Sequence, residues 1–244
     1  AGSASAQESG DRRIRPIGIL SNPQANVPEE FEAIQLAATP IQQLGIETDV
    51  QIMPNDQLSD IVWYERDRWD MTAWQMVGRP ERLDPDEFIY NLFHSQNVEN
   101  GYNFVGYVNP EYDAAAEAQR AEVDQEKRQQ LVFDTQRIVA RDQPYCFFAY
   151  PEANFAFNKT VFDENTIVDA KGIGIKNYWT FVGATPLGDQ KDMILNTQVS
   201  IQAMNPLYIS GGPDSWVTEL IWDRLMRVGP DGLPVPSAAT AVEW

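Results

Sequence analysis

The chain carries two hydrophobic rhythms in turn. Ile17-Gly18-Ile19-Leu20 is a short apolar run suited to a buried strand, and the Asn22-Pro23 turn follows it. Pro28 opens a helix where its missing N–H costs little. Ile34, Ala37, Ile41 and Leu44 then recur at helical spacing as one core-facing stripe, and Gly45 supplies a left-handed stop. Ile46 to Met53 alternates apolar and polar positions, the period of a strand. Strand, helix and strand in this order predict a right-handed crossover joining parallel strands. A second helix, capped by Asn55 or Asp56, is expected through about Arg66 with Leu58, Ile61 and Val62 inside, and a third strand over Asp70 to Met76. Gly78-Arg79-Pro80 interrupts the chain. A helix then starts at Leu83-Asp84-Pro85-Asp86, with Phe88, Leu92 and Phe93 as its apolar side.

The next stretch is strongly helical. Asn109-Pro110 opens a helix from Glu111 to about Ala121, and Asp124 caps another from Gln125 to Arg141. On the latter, Leu131, Thr135 and Ile138 share one face, widened by Val132 and Val139. Pro144 ends it, and the aromatic runs from Tyr145 to Phe157 read as strand. Beyond Lys171 the chain is loosened by Gly172, Gly174, Gly183 and Gly188. Met193 to Val199 reads as a strand, and Ser215 to Met226 as a helix whose apolar side is Val217, Leu220, Ile221 and Leu225. Val228 to Gly232 is a tight turn. The fold class is α/β.

Charge narrows the function. With 36 acidic side chains against 18 basic ones, the formal net charge is −18 over 244 residues, a field that repels nucleic acid and anionic lipid. The acids are spread along the chain rather than gathered, so they read as a solvated, salt-adapted surface. A single cysteine, Cys146 in an apolar run, excludes an internal disulfide and reads as a buried structural thiol. One histidine, His94, excludes a His-pair metal site and reads as structural. No apolar stretch reaches the ~20 residues of a membrane span. Ala1 to Gly10 is small and polar, and reads as a disordered leader.

Several motifs resemble the family of extracellular solute-binding proteins of peptide- and nickel-type ABC transporters. Asn109-Pro110-Glu111-Tyr112-Asp113 is followed by an Ala-rich helix, Asp124-Gln125-Glu126-Lys127-Arg128, Gln136 to Ala140, Pro144-Tyr145 and Asn158-Lys159. Upstream, Trp69-Asp70-Met71 to Trp74, Asp84-Pro85 and Leu92 to Ser95 resemble the same lobe. A second set, Met204 to Tyr208, Leu220 to Leu225 and Val228 to Pro236, looks like the start of such proteins, here placed after the lobe it would precede.

The resemblance implies a periplasmic-binding-protein-like type II lobe with a mixed sheet, plus part of a second lobe. The expected organisation is a leader over 1–13, a C-terminal-lobe-like domain over 14–165, a connecting segment over 166–190 and a partial N-terminal-lobe-like segment over 191–244. The abrupt end at Trp244, just after Ala241-Val242-Glu243, fits a piece of a longer protein. It also implies binding rather than catalysis: no cofactor, a peptide or other small solute as ligand, an ABC permease as partner, a monomer, and an extracellular or periplasmic, membrane-anchored location. A sensory or protein-interaction module derived from the same lobe is the alternative.

By the same resemblance, the strand end through Trp74, Gln75 and Met76 offers backbone partners to an extended peptide. Glu81, three positions before Asp84-Pro85, would pair with a ligand ammonium, although Arg79 and Arg82 compete for it. Trp74, Tyr102 and Asn103 are candidate pocket lining, against core packing for Trp74 and a turn role for Asn103. Gly172-Ile173-Gly174-Ile175-Lys176 only faintly resembles a phosphate loop. Asp214 or Ser215 reads as an ordinary helix cap.

Overall fold

The computed structural model describes residues 14–76, 78–150, 152–190, 192–197, 201, 204–209 and 212–241. The expected leader lies outside them, as does the side chain of Glu81. The chain divides into two compact units, one through Met76 and one from Val77 onward. That division falls inside the 14–165 stretch that the resemblance treats as one lobe.

The first unit is the crossover fold that the pattern predicts. β1 (Ile17–Ser21) pairs in parallel with β2 (Thr48–Ile52), from Ile17↔Thr48 to Ser21↔Ile52. On its other side β1 pairs in parallel with the two-residue β3 (Met71–Thr72), giving the order β2-β1-β3. Neighbouring residues Ile19 and Leu20 are 0% and 1% exposed, so the central strand is covered on both faces. α1 (Pro28–Gln43) lays Ile34 and Ala38 on Ile19, flanked by Ile17, Val50, Met71 and Ala73. Its stripe stops short of the expected one, because Leu44 is exposed at the C-cap. Gly45 does make the left-handed exit, at φ 80°. α2 (Asn55–Tyr64) buries Leu58, Ile61 and Val62 as expected. It begins one residue early, after Pro54, so neither Asn55 nor Asp56 is its cap.

The second unit centres on α3 (Asp86–Phe93), α4 (Pro110–Ala121) and α5 (Gln125–Asp142). Ile89, Phe93, Tyr112, Ala116, Val132, Ile138 and Val139 form their common core. Several of the residues that carry the family resemblance have a local task here. Asn109 Oδ1 accepts from the N–H groups of Glu111 (2.9 Å) and Tyr112 (3.4 Å), while its Nδ2 donates to Asp142 at the far end of α5 (2.6 Å). The buried Tyr112 hydroxyl donates to the Ile89 carbonyl (2.7 Å), and Asp113 accepts from Ser95 N and Oγ (3.0 and 2.6 Å). Asp124 caps α5 through Lys127 N (3.0 Å). Arg128 donates to both oxygens of Asp84 (3.0 and 2.6 Å). α5 ends before Pro144 by a left-handed Gln143, φ 49°.

Several expectations fail beyond α5. The described part of Tyr145 to Phe157 forms no strand, and Phe147, Phe148 and Tyr150 are 55%, 64% and 94% exposed. A strand needs a ladder partner, and none is supplied among the described residues. Cys146 lies in this segment and is exposed, not buried. Met193 to Thr197 is irregular, and Gln198 and Val199, the end of that expected strand, lie outside the described residues.

α6 (Tyr178–Gly183) is capped by Asn177, and α7 (Gly212–Ile221) starts and stops earlier than expected. Asp214 and Ser215 therefore sit inside α7, buried, and are not its cap. The helix is also turned over. Thr218 and Glu219 are buried, whereas Leu220 and Ile221 are 50% and 56% exposed. Near the end of this helix Arg227, 4% exposed and stacked 3.5 Å over the Tyr178 ring, donates to the Glu219 carbonyl (3.2 Å). Met226 belongs to β4 (Met226–Val228), which pairs antiparallel with β5 (Pro234–Pro236) across the expected turn. The expected mixed sheet thus resolves, among the described residues, into a purely parallel sheet and a separate antiparallel hairpin.

Candidate ligand-binding site

In the first unit the strand order creates a particular place. From β1 the chain moves to one neighbour, β2, and then crosses to the opposite neighbour, β3. The crevice beyond the carboxyl ends of β1 and β3 is therefore a topological switch point, where open α/β sheets bind ligands. β1 delivers Ser21 and Asn22 there, both 2% exposed, and β3 delivers Trp74, Gln75 and Met76. The ladder stops at Thr72, so these last three are irregular chain rather than the expected strand. No strand among the described residues pairs with the outer edge of β3. Trp74 is half-buried and tilted against Trp63, with ring centroids 6.3 Å apart. Gln75 is exposed and Met76 half-buried.

Glu30, in the first turn of α1, closes this place. Its carboxylate accepts from Asn22 Nδ2 (2.8 Å) and from the backbone N–H of Gln75. Burial pushes its carboxyl above the usual range, and these two hydrogen bonds only partly offset the loss of water. Sequence reading missed both Asn22 and Glu30. The available signal was position: a polar residue directly after a buried strand, and an acid in the first turn of the helix that follows.

The second unit holds Tyr102, Asn103 and the short helical turn containing Glu81. Asn103 is 0% exposed, and its carboxamide is used by its own loop. Nδ2 donates to the carbonyls of Phe93 (3.2 Å), His94 (3.2 Å) and Tyr107 (2.8 Å), and Oδ1 accepts from Tyr107 N (3.0 Å). Tyr102 is 37% exposed and meets Phe104 edge-on at 5.9 Å. His94 is buried, stacked 4.3 Å from Tyr90, and its Nδ1 accepts from Gln96 N (3.1 Å).

An open cavity of about 360 Å³ is lined by Asp84, Asp86, Glu87, Arg120, Glu122 and Arg128. The Arg128 guanidinium holds the Asp84 carboxyl below its usual range, while the buried Gln119 donates to Asp86 (2.5 Å) and accepts from Arg128 (3.2 Å). Of these charges, Arg128 pairs with Asp84 and Arg120 with Asp86. The Gly172–Lys176 stretch is a closed turn: Ile173 and Gly174 donate to the Ala170 carbonyl, so those donors are not offered to a phosphate. Among the described residues no group of three or more His, Cys, Asp or Glu is placed to hold a metal ion. The structure thus groups Trp74, Gln75 and Met76 in one unit, and Tyr102 and Asn103 in the other.

No protein-family model matches the chain. Over 137 residues, 56% of its length, it is 28% identical to the oligopeptide-binding protein AppA of Bacillus subtilis (strain 168), 24% of which is covered. Three solved structures are similar in part. AppA from Bacillus subtilis in complex with a nonapeptide gives a TM-score of 0.47 at 21% identity, covering 57% of this chain and 28% of that one. DppA from Helicobacter pylori in complex with the peptide STSA gives 0.45 at 17%, covering 53% and 24%. NikZ from Campylobacter jejuni in complex with Ni(L-His) gives 0.44 at 19%, covering 55% and 26%.

Over about half of its length the chain is thus similar to an oligopeptide-binding protein, in line with the resemblance of its motifs. It spans about a quarter of the length of these relatives.

Proposed function

We propose that this chain is part of an extracytoplasmic solute-binding protein that captures an oligopeptide or related solute and delivers it to an ABC permease. The observation that carries this reading is the switch point of the first unit, where Trp74, Gln75 and Met76 follow an edge strand whose outer side has no ladder partner among the described residues. An extended peptide laid there can form main-chain hydrogen bonds, which bind without regard to side-chain identity, while Trp74 covers apolar surface. The similarity to AppA supports the same reading. Tyr102 and Glu81 are carried with it, Tyr102 as exposed aromatic lining and Glu81 as the partner of a ligand ammonium.

Binding energy, not bond chemistry, is the output. Capture would favour a closed arrangement of the whole protein that the permease recognises. No helix among the described residues is long and apolar enough to cross a membrane.

Calorimetric titration of the chain, and of the longer protein that contains it, with a mixed pool of short peptides tests the proposal. Saturable binding by the longer protein is expected, with a rise in melting temperature by ligand linkage. Absence of both, for peptides and for nickel–histidine alike, would end this reading. Glu81→Gln is expected to weaken free-amino peptides and spare N-acetylated ones; equal effects would remove Glu81 from the anchor role.

A further inference from the structure

The switch point holds an imbalance that main-chain peptide binding does not use. Asn22 is 2% exposed, and its Oδ1 meets no hydrogen-bond donor among the described residues. The orientation of its amide is set by chemistry: Nδ2 donates to Glu30 Oε2 at 2.8 Å, and the flipped amide would press oxygen against a carboxylate. Beside it, Glu30 accepts two hydrogen bonds among the described residues, from Asn22 and Gln75. A carboxylate offers about four lone-pair positions, so roughly half its capacity is unused. Glu30 also makes no ion pair among the described residues, and its charged neighbour Glu29 repels it. A half-buried carboxylate without a counter-charge, next to a buried acceptor without a donor, is costly to maintain. Such costs are retained at places where a ligand relieves them.

We propose that Asn22 and Glu30 form an acceptor-rich subsite that takes a cationic nitrogen of the captured solute, an ammonium or a guanidinium. The inference rests on the proposed solute-binding role for its setting, and it adds the chemical class that this end of the site selects. The positions shown open, Asn22 Oδ1 and the remaining Glu30 lone pairs, all accept, and the Glu30 charge repels an anion. Each N–H of a cation can meet one of the open lone pairs, which makes the hydrogen bonds charge-assisted. A cation beside Glu30 opposes the effect of burial, which raises its carboxyl, and so favours the ionised form.

Two measurements on the chain test it. In the first, the Asn22 side-chain amide is followed by NMR during titration with four probes. These are N-acetyl-lysine amide, N-acetyl-arginine amide, alanine amide and N-acetyl-alanine amide. The cationic probes are expected to shift the resonance and the neutral one to leave it in place. Comparing alanine amide with the two acetylated cations separates an α-ammonium from a side-chain cation. In the second, peptide pools with and without a cationic nitrogen are titrated against wild type and Glu30→Gln. A preference of at least tenfold for cationic pools is expected, and its loss in the variant.

If pools bind equally well and Glu30→Gln changes nothing, the solute-binding role stands and the subsite is overturned. If cationic probes shift Asn22 but no peptide binds, the subsite stands and the peptide reading fails. If no probe moves the Asn22 resonance, the subsite is overturned whatever the peptides do.

Discussion

Replacing Asn103 separates its two readings, a residue that lines a ligand pocket and one that holds a loop. The side chain is 0% exposed and joins four backbone groups: the carbonyls of Phe93, His94 and Tyr107, and the N–H of Tyr107. Asn103→Ala removes all four hydrogen bonds at once. At a net value of about 1 kcal/mol each, with part regained by water entering a loop, the loss should be about 2–4 kcal/mol. Asn103→Asp is nearly the same size but sets a carboxylate against three carbonyl oxygens. Its folded-state pKa must rise above the unfolded value of about 3.9. A group raised in this way favours the fold below its unfolded pKa and loses that favour as pH climbs through the folded value. The Asp variant should therefore be weakest near pH 7 and recover toward pH 4, whereas the penalty in the Ala variant stays level. Urea denaturation followed by circular dichroism at several pH values reads both. A loss below about 1 kcal/mol for Asn103→Ala, or a flat pH response for Asn103→Asp, would refute the loop-holding account and return Asn103 to the pocket.

Three further outcomes follow from the same physics. Burial raises the Glu30 carboxyl, so its ionised form opposes folding as pH rises through the folded pKa. Glu30→Gln should accordingly gain stability relative to wild type between pH 4 and 7, measured as the difference in urea midpoint. The opposite sign applies to Asp84, held low by Arg128. Its contribution is present above the unfolded pKa and lost as pH falls through the folded one. Because the pair is partly exposed, Asp84→Asn should cost only about 1 kcal/mol near neutrality, and less in acid, by the same denaturation curves. Gly174 stands at φ 84°, and a Cβ there would strike the Phe155 ring. Gly174→Ala should cost about 1–3 kcal/mol and loosen the 170–176 turn, visible as faster hydrogen exchange at Gly174.

The sequence was most legible where a local rule decides the structure alone. The crossover unit followed from strand period, Pro28 and Gly45, and the two long helices from Asn109-Pro110 and Asp124. The resemblance residues were legible for a related reason, since Asn109, Tyr112, Asp113 and Arg128 all serve the packing of α3, α4 and α5. They mark a scaffold and leave the ligand unspecified. Misreadings gather where partners decide. Tyr145 to Phe157 has strand composition, but composition cannot provide the neighbouring ladder. α7 has an apolar stripe, yet the side it buries carries Thr218 and Glu219. Asn22 and Glu30 escaped notice because they are ordinary residue types at ordinary spacing. Only the strand order brings them to the end of the sheet.

The exposed position of Cys146 has a practical consequence. It is the sole thiol of the chain, and it lies in the aromatic stretch that lacks a ladder. A maleimide dye would attach at this one point without mutagenesis, and its emission would report the wetness of that stretch. Blue-shifted, brighter light in the longer protein would signal that other parts of the polypeptide have come to cover these rings.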